Sequence, residues 1–371
     1  MRSLYLLLLT SFCFIASISN GYSSNQANTI SQFWSLQEYS KRNEQQRQSA
    51  PAFAKRIADP AEAYGLGERK VRIAIIYPGK QASDYWRRSA SSFQARLREI
   101  GVPFEVQQHF SEFETNASLQ AELISSVLKS DPDYLVFTLD AIRHQSIVER
   151  LIARGRPKVI LQNITTPLKS WGDKQPFLYV GFDHVSGTEL LIDYYRQRFG
   201  EEKAFAVLYG PRGYVSRARG DTFVQAYADH EVRNLKASYY VGYDRVKSAN
   251  AVNKLLNEHQ DLAFIYACST DIALGVLDAV EQNGLTGKVI TNGWGGGSAE
   301  LDAVEAGILD VTVMRMNDDN GIAMAEAIAL DQAGRGHEIP LVYSGSFELV
   351  QSSDSKEKIE ALKKRAFRYS K

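Results

Sequence analysis

The sequence predicts an α/β protein with two Rossmann-like lobes, each built on a parallel sheet, joined by a hinge of several strands. After Lys70, short apolar runs rich in β-branched residues alternate with amphipathic helical stretches, which is typical of parallel sheets covered by helices. These runs are too many for one open sheet. At ~100–200 residues per domain, the roughly 350 residues that follow a leader also favour two domains. An α/β barrel is the weaker alternative.

The first residues have the order of a secretory signal. Arg2 supplies a positive charge, Leu4 to Ala16 is almost wholly apolar, and the small residues Ser17 and Ser19 follow. The apolar run is shorter than the roughly 20 residues that a membrane span needs. We therefore predict a cleaved signal peptide at residues 1–20 and a periplasmic protein, with an uncleaved anchor as the alternative.

We predict an N-terminal helical extension at residues 21–69. The stretch from Asn25 to Gln48 is polar and rich in glutamine, while Phe33, Trp34 and Tyr39 are spaced for one helical face. This pattern indicates a helix that packs outside the main fold.

The repeating strand and helix units begin with the apolar run Val71–Tyr77. In the helical stretch that follows it, Trp86, Phe93 and Leu97 recur on one face. Further strands are predicted at Phe104–Gln108, Tyr134–Thr138, Val159–Asn163, Leu178–Phe182, Ala204–Tyr209, Ala237–Gly242, Phe264–Ser269, Val289–Asn292, Ile308–Met316 and Val342–Val350. Helices are predicted between most of them, including Leu119–Lys129, Gln145–Ala153 and Ile272–Gln282.

The division between the lobes is predicted near Pro176 to His184, where four strand and helix units are complete. Late elements then return to the first lobe and cross back again. Lobe 1 is accordingly predicted at residues 70–178 plus 316–343, and lobe 2 at residues 179–315 plus 344–371. The charged segment Lys356 to Tyr369 is predicted as a helix that caps the second lobe.

Composition and motifs exclude several function classes. The 43 basic and 43 acidic residues give a formal net charge of zero, and without a basic stripe nucleic acid is not expected as a partner. Cys268, the one cysteine beyond the leader, lies in an apolar run and predicts a buried thiol. The six histidines lack metal-ligand spacing, and no nucleophile elbow or phosphate loop occurs. The stretch Gly293–Ser298 is a weak match to a dinucleotide fingerprint. We predict no metal, no cofactor and no enzymatic activity.

Polar and aromatic side chains collect just after the predicted strands. In open α/β sheets, ligands bind beyond the carboxyl ends of the strands, so these side chains predict one ligand site. Tryptophan faces stack on a ring, amides and hydroxyls serve hydroxyl groups, and arginine pairs with an anionic group. The predicted site residues are Gln81, Ser83, Trp86, Thr138, Asn163, Arg219, Thr270, Asp271, Trp294 and Arg315.

Each of these positions also has a plainer interpretation. Ser83 and Asp271 could be helix N-caps, Trp86 could be a core residue, and Arg219 could be a surface charge. Taken together, two arginines against one carboxylate suggest a polyol-like ligand with some negative charge.

Several stretches, in order along nearly the whole chain, resemble the ribose/galactose-type periplasmic binding proteins. Within that family they are similar to the LuxP-type autoinducer-2-binding proteins. The stretches are 81–86 (QASDYW), 161–167 (LQNITTP), 179–184 (YVGFDH), 219–223 (RGDTF), 264–271 (FIYACSTD), 292–303 (NGWGGGSAELDA), 313–319 (VMRMNDD) and 361–370 (ALKKRAFRYS). The N-terminal region to about Gly67 matches poorly, and Arg217 adds a charge that the family pattern does not predict.

The resemblance implies the type I periplasmic binding protein fold and a ligand, the furanosyl borate diester autoinducer-2, with boron as part of the ligand. By that likeness Arg219 and Arg315 face the borate, Trp86 and Trp294 flank the ring, and Thr138 adds a contact. The residues implied to bond the ring oxygens and hydroxyls are Gln81, Ser83, Asn163, Thr270 and Asp271. The implied partner is the periplasmic domain of a membrane-bound sensor histidine kinase.

The resulting hypothesis is a receptor that closes its lobes around the ligand and relays occupancy to the kinase. The alternatives are a binding protein that delivers a ribose-like sugar to a transporter, a sugar-responsive repressor and an enzyme. The predicted leader and the absence of an N-terminal helix-turn-helix disfavour the repressor.

Overall fold

A computed structural model describes residues 31–78, 81–111, 117–138, 145–228 and 234–371. The predicted signal peptide at residues 1–20 lies outside the described residues, as does the start of the predicted extension.

Twelve α-helices and twelve strands occupy the described part of the chain. The helices are α1 (Leu36–Arg42), α2 (Glu44–Ala58), α3 (Tyr85–Ile100), α4 (Ala117–Leu128), α5 (Gln145–Arg154), α6 (His184–Phe199), α7 (Tyr214–Tyr227), α8 (Arg245–Glu258), α9 (Thr270–Gln282), α10 (Ser298–Glu305), α11 (Asp318–Gln332) and α12 (Lys356–Ala366). The strands are β1 (Val71–Pro78), β2 (Phe104–Ser111), β3 (Tyr134–Thr138), β4 (Lys158–Gln162), β5 (Leu178–Phe182), β6 (Phe205–Tyr209), β7 (Leu235–Tyr240), β8 (Phe264–Ala267), β9 (Ile290–Gly295), β10 (Val311–Arg315), β11 (Val342–Gly345) and β12 (Phe347–Gln351).

The strands form two six-stranded sheets, which confirms the predicted fold class. The first sheet has the order β11-β5-β4-β3-β1-β2 and is parallel throughout. The second has the order β12-β10-β9-β8-β6-β7, with only β12 antiparallel to its neighbour. Since parallel strands need a covering helix between them, both sheets are buried on their two faces, and their strands read as nearly continuous apolar runs.

The chain passes between the sheets three times. It leaves the first sheet after Phe182, returns between Arg315 and Asp318 to α11 and β11, and crosses again at Ser346. The hinge therefore consists of three short connections.

Two predicted lobe boundaries fall inside strands of the first sheet. Residues 179–182 belong to β5 and residues 344–345 to β11, whereas the sequence assigned both to lobe 2. The apolar run Val342–Val350 is two strands, one in each sheet. An extended run that continues from one sheet to the next has an unbroken periodicity, so its pattern does not mark the crossing.

The N-terminal extension packs into the first lobe rather than outside the main fold. Phe53 and Ile57 of α2 are buried in the core of that lobe. The Gln46 side chain exchanges two hydrogen bonds with the backbone of Val342, of 2.8 and 3.0 Å. Because β11 is the edge strand of the first sheet, Gln46 takes the place of a further strand there and satisfies its backbone groups.

The C-terminal helix α12 packs on the second lobe, through Ile359 and Ala366 against Val304 and Val350. The residues that follow it return to the first lobe. The backbone N–H groups of Tyr369 and Ser370 donate to a carboxylate oxygen of Asp318 at 2.7 and 2.9 Å.

Candidate ligand site between the lobes

A cavity lies between the lobes at the carboxyl ends of the strands. Its empty volume, including space that is open to solvent, is about 380 Å³. Its lining consists of Gln81, Ser83, Tyr85, Trp86, Asn163, Val215, Arg219, Tyr243, Ser269, Thr270, Asp271, Trp294 and Arg315. Nine of the ten predicted site residues are among these, and both lobes contribute. Thr138, at the end of β3, lies outside this lining.

Arg219 enters the cavity from α7 and is only 4% exposed. One guanidinium nitrogen donates to the carbonyl oxygen of Cys268 at 2.8 Å, and the guanidinium carbon lies 3.6 Å from the centre of the Trp294 ring. Burial and the neighbouring Arg315 lower the pKa of Arg219 to about 10. The predicted alternative of a surface charge is wrong for this residue.

Arg315 reaches the same cavity from the end of β10 and is 5% exposed. Its guanidinium carbon lies 4.1 Å from the centre of the Tyr85 ring, and burial lowers its pKa. Within the described residues neither arginine forms an ion pair with a carboxylate. Arg219 donates to the Cys268 carbonyl and Arg315 to the Gly295 carbonyl at 3.4 Å, and the nearby carboxylates of Glu300 and Asp84 only partly oppose the lowering of the Arg315 pKa. Two buried positive charges without an ion-pair partner are costly unless an anion compensates them, so the cavity is electrostatically suited to a negatively charged group.

Asp271 is the acidic side chain of the lining and comes from the first turn of α9. The N-cap of that helix is Ser269, whose hydroxyl accepts from the backbone of Ile272, so the N-cap interpretation of Asp271 is wrong. Instead, Asp271 accepts the backbone N–H of Ala82 in the other lobe at 2.7 Å. Burial raises its pKa. Asp271 thus both lines the cavity and ties the lobes together.

Gln81, Ser83 and Trp86 come from the turn after β1 and the start of α3. The indole N–H of Trp86 donates to the Gln81 side chain at 3.1 Å, which fixes the ring at the cavity wall. Trp86 also belongs to the core of the first lobe, so the same ring packs in the core and lines the cavity. Ser83 precedes the N-cap position of α3, which Asp84 occupies.

Asn163 follows β4 in a left-handed backbone conformation, with φ of +67°. Asparagine is one of the few residues other than glycine that tolerate this region. Its side-chain oxygen is buried without a hydrogen-bond partner in the described part of the chain. A buried acceptor without a partner is costly, so this oxygen is positioned to receive a donor from a ligand.

The glycine-rich turn that carries Trp294 is folded around a buried carboxylate. Glu300 of α10 accepts the backbone N–H groups of Trp294 and Gly296 at 3.0 and 2.7 Å. A Cβ atom on Gly295 would lie 2.6 Å from the Arg315 guanidinium, and one on Gly296 would lie 2.4 Å from the Met314 backbone. The glycines therefore allow the turn to approach β10 closely.

The cavity contains residues that sequence reasoning missed, namely Tyr85, Val215, Tyr243 and Ser269. Tyr85 was not recognised as a site residue because it lies beside Trp86 in an amphipathic helical pattern. Its hydroxyl accepts from the amides of Gln162 and Asn320 at 3.2 and 2.8 Å, so a buried polar network supports the ring that faces Arg315.

Arg217, the charge that the family pattern does not predict, lies outside the cavity lining. It forms an ion pair of 3.0 Å with Asp221 one turn later on α7 and is absent from the lining. Unlike Arg219 and Arg315, Arg217 therefore has an ion-pair partner of its own.

Further contacts join the lobes beside the cavity. Asp84 of the first lobe accepts the backbone N–H and the hydroxyl of Ser298 in the second, at 3.2 and 2.8 Å. Arg88 binds Asp84 at 2.6 Å and also donates to the Ser298 hydroxyl at 2.9 Å. These contacts, with Asp271 and Ala82, require the lobes to be close together, so the structure is a closed form.

Comparison with known proteins decides the family. The sequence model of one protein family, the periplasmic binding protein domain, matches residues 73–335, well over half of the chain. The chain belongs to the periplasmic binding protein family. Members of this family are periplasmic, and their role is to bind a small-molecule solute, not to catalyse a reaction.

Curated relatives of this periplasmic binding protein include the ribose import binding protein RbsB of Escherichia coli (strain K12). It is 30% identical over 173 residues, which cover 46% of this chain and 57% of the relative. The match thus spans little more than half of that relative's length. The D-allose-binding periplasmic protein of the same organism is 25% identical over 282 residues, covering 73% of this chain and 88% of the relative.

Solved structures share the fold of this periplasmic binding protein. A solute-binding protein from Agrobacterium vitis bound with α-D-tagatopyranose has a TM-score of 0.69 at 18% identity, over 79% of this chain and 99% of its own. One from Actinobacillus succinogenes 130z with bound D-allose has a TM-score of 0.65 at 21% identity, over 79% and 100%.

The described residues add two further findings. None of the helices among them is long and apolar enough to span a lipid bilayer. No group of three or more histidine, cysteine or acidic side chains in this part of the chain could hold a metal ion.

Proposed function

We propose that this protein binds autoinducer-2, as the furanosyl borate diester, in the cavity between its lobes. The observation that carries the proposal is the pair of buried arginines, Arg219 and Arg315, which have no carboxylate partner among the described residues. A borate diester is an anion on a small polyhydroxylated ring. Its negative charge would compensate the positive charges of the two guanidinium groups.

The rest of the lining suits the ring itself. The Asn163 oxygen is buried without a donor, Asp271 accepts hydroxyl groups, and Thr270 supplies a hydroxyl that can donate or accept. Trp86 and Trp294 provide aromatic surface to the cavity wall. Thr138 is not part of the proposed site.

Closure links binding to a signal. A ligand shifts the equilibrium between open and closed lobes only through contacts that it makes better in the closed form. Side chains from both lobes line the cavity, so an enclosed ligand makes such contacts. We propose that the closed surface is read by the periplasmic domain of a membrane-bound sensor histidine kinase. Ligand-dependent retention of the purified protein on that immobilised domain supports this step, and equal retention with and without ligand contradicts it.

A second function, delivery of a ribose-like sugar to a transporter, is favoured by the relatives, which are named for ribose and D-allose. The hydroxyl groups of such a sugar would bind the same polar side chains of the cavity. A neutral sugar would, however, leave both arginines without an anion. The two functions therefore differ in the charge of the ligand.

Substitution of Arg315 tests the proposal. We expect Arg315→Met to weaken binding of the autoinducer-2 precursor with borate about tenfold or more, because a hydrogen bond to a charged group contributes about 1.5–3 kcal/mol. Ribose binding should change far less. Arg198→Met, at an exposed position of the same lobe, is the matched control. Unchanged affinity of the Arg315 variant for the borate ester overturns the assignment.

A further inference from the structure

His184 lies behind the cavity at the point where the chain crosses from one lobe to the other. It is the first residue of α6, directly after β5 and Asp183, and its side chain is fully buried. Its ring packs against Trp294, with centroids 5.4 Å apart, and near Tyr214, at 6.2 Å. It is not part of the cavity lining.

The two ring nitrogens of His184 contact ligand-site residues of different lobes. Nε2 lies 3.1 Å from the carbonyl oxygen of Asn163, and Nδ1 lies 3.4 Å from both Nε and Nη2 of Arg219. A carbonyl oxygen only accepts and a guanidinium only donates, so one arrangement satisfies both contacts. The ring is neutral, with its hydrogen on Nε2 and its free acceptor on Nδ1.

We propose that His184 is a positioning residue that sets Asn163 and Arg219 for the ligand. The Nε2 hydrogen bond holds the left-handed backbone of Asn163, which aims its unpartnered side-chain oxygen. The Nδ1 acceptor turns the Arg219 guanidinium, which also binds the Cys268 carbonyl and stacks on Trp294. Because Asn163 is in the first lobe and Arg219 in the second, His184 also links closure to the alignment of both groups.

The surroundings of His184 keep this arrangement in the neutral form. The charged groups that act on the ring are Arg219 and Arg315, and with burial they lower the pKa of His184 well below its ordinary value. Asp183, the neighbouring carboxylate, is occupied as the N-cap of α6, accepting from Val185 and Ser186. Protonation would remove the acceptor and place a third positive charge beside the arginines.

Three substitutions separate the two contacts. In His184→Asn, the side-chain oxygen lies near the former Nδ1 and still accepts from Arg219. In His184→Gln, the amide nitrogen lies near the former Nε2 and still donates to Asn163. His184→Phe retains only the ring shape. His337→Asn, at an exposed histidine, is the control.

Calorimetric titration of each variant with the autoinducer-2 precursor plus borate, and with ribose, provides the test. We expect the His184→Gln variant to lose about tenfold affinity for the borate ester and little for ribose, since only its Arg219 contact is lost. The His184→Asn variant should lose affinity for both ligands to a similar, smaller extent, and the His184→Phe variant should bind both worst. Equal losses in all three variants, or wild-type affinity in the His184→Phe variant, overturn the positioning role.

The inference rests on the proposed function for the charge of the ligand, and the two can fail separately. If the wild-type protein binds ribose alone, the proposed ligand is wrong. The positioning role is then tested by the ribose arm and by the nitrogen NMR spectrum of the His184 ring in the ribose-bound protein. A ring that is protonated, or that carries its hydrogen on Nδ1, overturns it.

Discussion

Glu300 holds Trp294 through the peptide backbone. Its fully buried carboxylate accepts the backbone N–H of Trp294 at 3.0 Å, and its second oxygen accepts the backbone N–H of Gly296 and the Thr312 hydroxyl. One carboxylate side chain thus satisfies three donors and shapes the turn that places the indole against Arg219.

Replacement of Glu300 should disturb this turn. In Glu300→Gln an amide group faces donors, so we expect the free energy of unfolding to fall by about 1–3 kcal/mol and ligand affinity to fall with it. Denaturant unfolding and calorimetric titration measure the two effects. Glu305→Gln, at an exposed position of the same helix, should leave the affinity unchanged. A Glu300→Gln variant as stable as the wild type would contradict the role of the carboxylate.

Gly296 should be far less tolerant of a side chain than Gly334, although both have left-handed backbones, with φ of +64° and +73°. A Cβ on Gly296 would lie 2.4 Å from the Met314 backbone, whereas one on Gly334 meets nothing within 4 Å. We expect Gly334→Ala to lower the free energy of unfolding by about 1–2 kcal/mol, the cost of the conformation alone. Gly296→Ala should cost more and also abolish binding. Equal costs for the two variants would count against the close approach of the turn to β10.

The Cys268 thiol should be inert in the native protein. It is 1% exposed, and burial raises its pKa, so little thiolate forms at neutral pH. We expect no reaction with a soluble thiol reagent until the protein unfolds. Modification of the folded protein at the rate of a free thiol would contradict this prediction.

Stability should fall in mild acid partly because of His184. Its folded pKa is lowered well below 6.5, so below that pH the unfolded chain binds a proton that the folded protein does not. Its contribution to stability is therefore present above about pH 6.5 and is lost as the pH falls towards the folded pKa. The difference in free energy of unfolding between wild type and His184→Asn, measured against pH, isolates this effect. A difference that stays constant below pH 6.5 would show that His184 titrates normally.

Much of the fold could be predicted from the sequence because parallel strands buried on both faces are distinct apolar runs. The crossing at Ser346 could not, since an extended run has the same periodicity in either sheet, whereas the crossing after Phe182 lies within the range Pro176 to His184 where the division between the lobes was predicted. Most of the cavity lining could be predicted because polar residues directly after parallel strands converge on one edge. Tyr85 and His184 were missed for a physical reason. Each lies in a helix next to apolar residues, and the arginine that it contacts comes from a distant part of the chain.

Titration of the wild-type protein with the autoinducer-2 precursor, in the presence and absence of borate, tests the central claim most directly. That claim is that the two unpaired arginines, Arg219 and Arg315, are compensated by an anionic ligand. We predict strong binding with borate, binding weaker by about tenfold or more without it, and weak binding of ribose. Affinity that does not change with borate, or ribose bound more tightly than the borate ester, would contradict the claim.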